Sequence, residues 1–503
     1  MSYTPEVTEL IRRLREAAHL RSAASLLAWD QETKMPAGGA EARAETLAFL
    51  AGLAHQRVLA IDADGLLTDL HRKLEKRALK GKAAVIVRAA WRDVSRTQRL
   101  PEEHVRTWAA ATSRAQHVWA RARAADDFAA FQPHLAEVVA LARQRAHYLD
   151  PDAPPYDVLL DTFEPGMTAD TLAALFSDLR AELVPFAREV VRAARTQRPK
   201  PFPGRFPTPV QERYAWDLAR AIGLDPERGR LDASVHPFTQ ELHPSDVRIT
   251  TRYNDRDPWD AIGSTIHETG HALYEQGLPE QAWGTALGET ESLALHESQS
   301  RFFENMVGRD RQFWNHHYPR LKKVFAEGLA GYSLNDWMLK INAVKKHPIR
   351  VEADEVTYNL HIMLRFELEQ ALVEGAIDVT DLPHLWRQRA NEYLGLSLKS
   401  DRDGVLQDVH WSCGLFGYFP TYTLGTLYAA GLDEAIRRDI PERDELVARG
   451  DLCPLLAWLR RNIHRHGRRY PAETLIKKVT GAGISIAPFM RHLTDRYGAL
   501  YKL

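Results

Sequence analysis

Apolar residues recur at helical spacing along most of this chain. Residues 1–148 are rich in Ala, Leu, Arg and Glu and keep that period with few prolines, until Asp150-Pro151-Asp152-Ala153-Pro154-Pro155 breaks it. A further helix is predicted over about 167–197. The proline-rich run from Arg198 to Pro209 ends it, and because that run carries Phe202 and Phe206 it predicts a packed crossing rather than a hinge. The best strand candidates fall between 231 and 254, as Ala233–His236 and Val247–Tyr253 around Pro-rich and polar turns. Beyond them the chain is helical to Leu503, with loops around 395–425. A mainly α fold with a small β-sheet follows.

Directly after the strands comes a well-punctuated helix. Asp257 suits the N-cap, Pro258 the first helical position and Asp260 the first turn, while Gly277-Leu278-Pro279 reads as a stop. Ile262, Ile266 and Leu273 recur at helical spacing, so this helix packs; Gly263 and Gly270, seven apart on one face, predict close approach of another element. Within it stands His267-Glu268-Thr269-Gly270-His271. At about 100° per residue the two imidazoles lie one turn apart and can share one metal ion. Glu268 beside them is placed to take a proton from a water held by that ion. The reaction class is metal-assisted hydrolysis.

A catalytic site of this kind needs a third protein ligand and an open position. Leu295, Phe302 and Met306 mark a second helix in an acidic stretch, and a Glu from it would complete the set. Spacing alone does not separate Glu289, Glu291, Glu297 and Glu304; three of the four are expected to be solvated acids.

Composition narrows the class. With 66 basic against 67 acidic residues, charge gives no support for a nucleic acid or an anionic membrane as partner. Two cysteines, Cys413 and Cys453, exclude a thiolate metal site and argue against a disulfide framework; Cys413 reads as a packing residue. The N-terminal stretch, with Arg12, Arg13 and Arg15, lacks the apolar core of a signal peptide, and no run of about 18 apolar residues predicts a membrane span. A cytoplasmic protein is expected.

Three later segments stand out. His347–Glu355 places Arg350 near acids, and an ion-paired surface Arg is its ordinary reading. Gly404–Trp411 ends in His410-Trp411, and Gly414–Tyr422 is rich in Gly and aromatics, either as a packed turn or as a loop holding a His and a Tyr over the metal as oxyanion donors.

Taken together these segments resemble the carboxypeptidase Taq family of metallocarboxypeptidases, over nearly the whole chain. Trp29-Asp30-Gln31-Glu32-Thr33-Lys34-Met35-Pro36 is similar to the family's W-D-x-x-T-x-M-P, and Asp246–Thr250 to its D-x-R-x-T. His267–His271 is similar to its H-E-x-x-H, His296–Gln299 to its H-E-S-Q, Ile349–Asp354 to its I-R-x-x-A-D, and Gly404–Trp411 to its G-x-x-Q-D-x-H-W. The resemblance implies Glu297 as third ligand, Glu268 as general base and acid, and one divalent ion per chain, zinc before cobalt. It implies Arg350, aided by Arg248, as receiver of a peptide's free C-terminal carboxylate. His410 and Tyr422, twelve residues apart, are the implied oxyanion donors, with Tyr418 as the alternative tyrosine. It further implies one helical domain over residues 1–503, with two halves flanking a deep groove, and a homodimer. In thermolysin-like enzymes an Asp four residues after the third ligand orients a ligand His; here that position is Arg301, so the sequence names no carboxylate for that task. The expected activity is removal of single C-terminal residues from peptides, with an endo-acting oligopeptidase or dipeptidyl carboxypeptidase as the alternative.

Overall fold

The computed structural model describes residues 3–503. Helices α1 (Pro5–Thr33) and α2 (Ala40–Leu59) form a hairpin; α3 (Leu66–Glu75), α4 (Gly81–Arg99), α5 (Glu102–Ala125), α6 (Phe128–Leu149), α7 (Pro155–Leu160), α8 (Ala169–Ala194) and α9 (Thr208–Ile222) follow. Val7, Leu10, Ile61, Leu67, Ile86 and Val87 form a small core of their own under α1, α3 and α4. The main core runs from α5 to the C-terminal helix. The Pro-rich crossing is packed: Phe206 is fully buried, and the Phe202 ring packs edge-on against Phe206 and at a tilt against Tyr332 and Trp337.

The sheet departs from the sequence expectation. β1 is Gly229–Ala233, upstream of the predicted Ala233–His236, and an unpredicted β2 (Thr239–His243) lies before β3 (Asp246–Thr251). Thr-Gln-Glu-Leu-His carries one apolar residue, so no alternation marks it; pairing with β3 is what makes it a strand. The order is β1-β3-β2, with β1 parallel and β2 antiparallel to β3, so β2 is an edge strand.

The sheet is held between helices. Thr251 Oγ1 bonds Ser264 (2.7 Å) on one face, where α10 (Pro258–Gly277) lies. On the other, Trp29 of α1 sits under the guanidinium of Arg248. Asp257 caps α10 by accepting from Trp259 N at 3.1 Å. After α10 come α11 (Leu293–Arg301), a π-helical segment (Phe302–Gly308), α12 (Arg311–Val324), α13 (Leu334–Ile341), α14 (Tyr358–Glu374) and α15 (Leu382–Leu394). The irregular stretch after α15 ends at Phe419, so Tyr422 lies inside α16 (Pro420–Asp439), not in the loop; α17 (Arg443–Arg449), α18 (Cys453–Asn462), α19 (Ala472–Thr480) and α20 (Ala487–Tyr501) complete the chain. Both cysteines are free. Among the described residues no helix is long and apolar enough to cross a membrane.

Candidate metal centre

α10 presents His267 and His271 one turn apart, and α11 brings Glu297 to them. Glu297 Oε2 lies 3.7 Å from His267 Nε2 and 3.2 Å from His271 Nε2, and one ligand atom from each residue falls within 4.8 Å of the others. The approach needs small residues. A Cβ on Gly270 would stand 2.6 Å from Gln299 O and Ser300 Cα of α11, the close approach its position predicted. A Cβ on Gly425 of α16 would stand 2.6 Å from Glu297 Cγ. Gly263 instead faces Trp259 of its own helix, and Gly277 makes room for His464 rather than forming a left-handed cap.

The far nitrogens are bonded too. His267 Nδ1 donates to Glu304 Oε2 at 2.8 Å; His271 Nδ1 meets His296 Nδ1 at 2.6 Å, and His296 Nε2 donates to Glu275 Oε1 at 2.8 Å. Glu304 therefore corrects the expectation of a solvated acid. It lies seven residues beyond Glu297, in the π-helical segment that continues α11, and Arg301 bridges the two carboxylates. Glu291 is largely covered and pairs with Arg468, so Glu289 alone of the other acids is well exposed. The sequence signal missed was the seven-residue spacing from Glu297 to Glu304, with Arg301 between them. Arg301 Nε donates to Glu297 Oε1 at 2.7 Å and Arg301 Nη1 to Glu304 Oε2 at 3.3 Å.

These contacts set the charges. Burial opposes ionisation of Glu297, but Arg301 and the two histidines hold its carboxyl well below the ordinary range; Arg301, His267 and Arg309 do the same for Glu304. Burial also opposes a charge on His267, yet Glu297 and Glu304 outweigh it and push the imidazole up to about 9. His271, buried beside His296 and His267, falls to about 3. Two imidazole nitrogens and a carboxylate oxygen converge with their far sides satisfied, a donor set that fits a zinc-type ion.

Glu268 is buried next to this set. Its Oε2 accepts from Thr239 Oγ1 of β2 at 2.6 Å. Burial raises its pKa, while His267 and Thr239 oppose the rise. Thr239 was invisible in the sequence because its strand was.

A second group adjoins. Arg350 is buried, not a surface residue: Nε and Nη2 reach Asp408 Oδ1 at 3.0 and 2.9 Å, and Nη1 donates to Tyr358 OH at 2.9 Å. Arg365 shares Asp408 through Oδ2, with Nε at 2.7 Å. Burial works against the charge on Asp408, but the two arginines hold its carboxyl below the ordinary range. His410 Nε2 stands 3.3 Å from Tyr422 OH, and the Tyr418 and Tyr422 rings pack edge to face. Burial and Arg350 press His410 down to about 3, so it is neutral; burial lifts Tyr418 to about 12 and Tyr422 well above its ordinary value, so both phenols keep their protons.

Tyr358 joins the two groups. Its ring lies under Arg301, 4.5 Å from the guanidinium carbon, and its hydroxyl accepts from Arg350. Arg248 is placed differently. It pairs across the sheet with Gln240, one residue from Thr239, so its side chain leaves by the face opposite Thr239 and Glu268. There both its Nε and Nη2 meet Asp246 at 2.9 Å, over Trp29.

Comparison with known proteins gives the family. The family model for carboxypeptidase Taq (M32) metallopeptidases matches residues 9–497. The chain is 43% identical to thermostable carboxypeptidase 1 of Thermus thermophilus, over 99% of this chain and 100% of that one, and 36% identical to carboxypeptidase 1 of Bacillus subtilis, over 100% and 99%. Among solved structures it is similar to an M32 carboxypeptidase from Deinococcus radiodurans (TM-score 0.95, 38% identity, 99% and 100% covered) and to metallocarboxypeptidase 1 of Trypanosoma cruzi (TM-score 0.94, 34% identity, 98% and 99% covered). These relatives do not favour the endopeptidase alternative. The chain belongs to the carboxypeptidase Taq (M32) family of metallopeptidases and is a metal-dependent carboxypeptidase.

Proposed function

We propose that His267, His271 and Glu297 hold one divalent ion, zinc before cobalt, and that the enzyme removes single residues from the free C-terminus of peptides. The ion, when bound, supplies a Lewis acid that polarises the scissile carbonyl and acidifies water. Glu268 takes a proton from the attacking water and passes it to the leaving amine; its buried setting raises its basicity, and the Thr239 hydroxyl keeps the carboxylate aimed. His410 and Tyr422 are the proposed oxyanion donors. The hydroxyl of Tyr422 is protonated and His410 is neutral; one hydrogen bridges His410 Nε2 and Tyr422 OH, and with His410 as the donor of that bridge the Tyr422 O–H is free for developing negative charge. Tyr418 is the alternative tyrosine.

One observation carries the exopeptidase reading. A guanidinium has five N–H groups. Arg350 donates Nε–H to Asp408 and one Nη1–H to Tyr358, with Nη2 also 2.9 Å from Asp408 Oδ1, which leaves at least one N–H on each Nη. That pair is the fork that matches a carboxylate. Asp408 and Tyr358 fix the fork, and Tyr358 ties it through Arg301 to Glu297. Arg248, on the face of the sheet opposite Thr239 and Glu268, is the weaker candidate for the same task. The test is one short peptide with free and with amidated C-terminus, digested by wild type and Arg350→Ala. Selective loss on the free peptide supports the reading; equal loss on both removes Arg350 from it.

The single domain over residues 1–503, with its deep groove, the homodimer and the cytoplasmic setting are proposed on the same resemblance. The interleaving of the functional groups supports one domain: α10, α11, α14 and α16 all contribute to one site.

A further inference from the structure

The two histidines proposed as ligands are held by different devices. His267 donates straight to a carboxylate, and that carboxylate, Glu304, is clamped by Arg301 and Arg309. On its far side, away from Glu297, His271 reaches no carboxylate directly. Its Nδ1 meets another imidazole, and only beyond that ring stands Glu275. Among the described residues no Lys or Arg pairs with Glu275, and its side chain is only 11% exposed.

The directions of these bonds are constrained. A carboxylate can only accept, so His296 Nε2 carries a hydrogen toward Glu275. In a neutral ring the Nδ1 of His296 is then a lone pair and accepts from His271 Nδ1–H. That leaves His271 Nε2 as a lone pair aimed at the side of Glu297, 3.2 Å away. The opposite direction would leave the hydrogen of a neutral His271 on Nε2 and spoil it as a ligand. The geometry is kept by packing: the His271 and His296 rings lie edge to edge, 26° from coplanar with centroids 4.6 Å apart, and Tyr274 closes on His296 edge-on at 5.3 Å.

We propose that His296 and Glu275 are positioning residues for the metal centre, a His–carboxylate relay that fixes the tautomer and rotation of His271. The inference rests on the ligand set proposed above. It assigns to the His of His296-Glu297-Ser298-Gln299 a task separate from that of the Glu beside it. It also makes the two ligands unequal, one oriented by an arginine-clamped carboxylate and one through a second imidazole whose carboxylate has no arginine behind it among the described residues.

The test measures zinc affinity at one fixed pH, by competition with a chromophoric chelator, for wild type, His271→Ala, Glu275→Gln, His296→Leu and His296→Asn. A thermal melt of each metal-free variant checks folding. His271→Ala should lose tight zinc. Glu275→Gln and His296→Leu should weaken zinc by about 10–100-fold, the range for removing the partner of a ligand imidazole. His296→Asn, whose side-chain oxygen can still accept from His271 Nδ1–H, should recover part of that loss. In the cobalt-loaded protein the visible bands of Glu275→Gln should shift, a signature that loss of general stability would not produce. Zinc affinity left intact in His271→Ala overturns the ligand set. Affinity lost in His271→Ala but intact in folded Glu275→Gln and His296→Leu overturns the relay alone.

Discussion

Gly425→Ala reads the fit between α11 and α16. Gly425 is buried on α16, and an added Cβ would stand 2.6 Å from Glu297 Cγ and 2.7 Å from Glu297 Cβ. Carbon atoms in good contact stay about 3.5–4.0 Å apart, so roughly 0.9 Å must open at this point. Either the Glu297 side chain swings away or α16 retreats and carries Tyr422 with it. Overpacking of this kind costs about 1–3 kcal/mol. Replacing a helical Gly returns about 1 kcal/mol through helix propensity. The net penalty is therefore about 0–2 kcal/mol, and the variant should fold. The site is less forgiving: a misplacement near 1 Å can cost about 100-fold in rate. We expect a small change in thermal midpoint, weaker metal retention on dialysis, and kcat/KM down by about two orders of magnitude on a free-C-terminus peptide. Unchanged metal retention and kcat/KM in Gly425→Ala would refute the claim that this glycine sets the place of Glu297.

Other buried carboxylates give further tests. Glu355 accepts from His492, Arg496 and Tyr497; burial opposes its charge, but His492 and Arg496 bring its pKa down to about 2. A depressed acid stabilises the fold above its ordinary value of 4.5 and loses that contribution, up to about 3 kcal/mol, as pH falls toward 2. Glu355→Gln should therefore flatten the acid limb of the urea midpoint against pH, and an unaltered limb would count against the assignment. Glu369 has no cation partner among the described residues: it accepts from Tyr156 OH, Gly417 N and Trp411 Nε1, and burial lifts it to about 7. Its folded form holds a proton between 4.5 and 7, so wild-type stability falls as pH rises through that window. Glu369→Gln turns one acceptor into a donor and should cost about 1–3 kcal/mol, more at pH 5 than at pH 8; equal cost at both would remove the linkage.

What the sequence made legible was local. Asp257, Pro258 and the H-E-x-x-H spacing describe α10 by themselves, because a cap and a one-turn repeat depend only on neighbours along the chain. Gly270 announced a close approach, though not that Gln299 and Ser300 make it. The missed features are tertiary. Thr239 became visible only once β2 paired with β3, since its polar run has no strand signature. Glu304 and the His296–Glu275 pair became visible only once α10 and α11 crossed. Arg350 read as an ordinary surface cation because Asp408, which buries it, lies 58 residues away. The resemblance supplied Glu297 and Arg350 as residues; the structure adds what holds them, and it separates Arg248 from Arg350 by placing Arg248 on the far face of the sheet.

The central claim is a metal-dependent removal of C-terminal residues in which Glu268 moves the proton. The direct measurement is mass spectrometry of one peptide incubated with metal-loaded wild type and with Glu268→Gln, alongside elemental analysis of both proteins. The account predicts successive one-residue losses from the C-terminus with wild type, and an uncut peptide with Glu268→Gln although that variant still carries one ion per chain. Internal cuts by the wild type, or comparable turnover by Glu268→Gln, would contradict it.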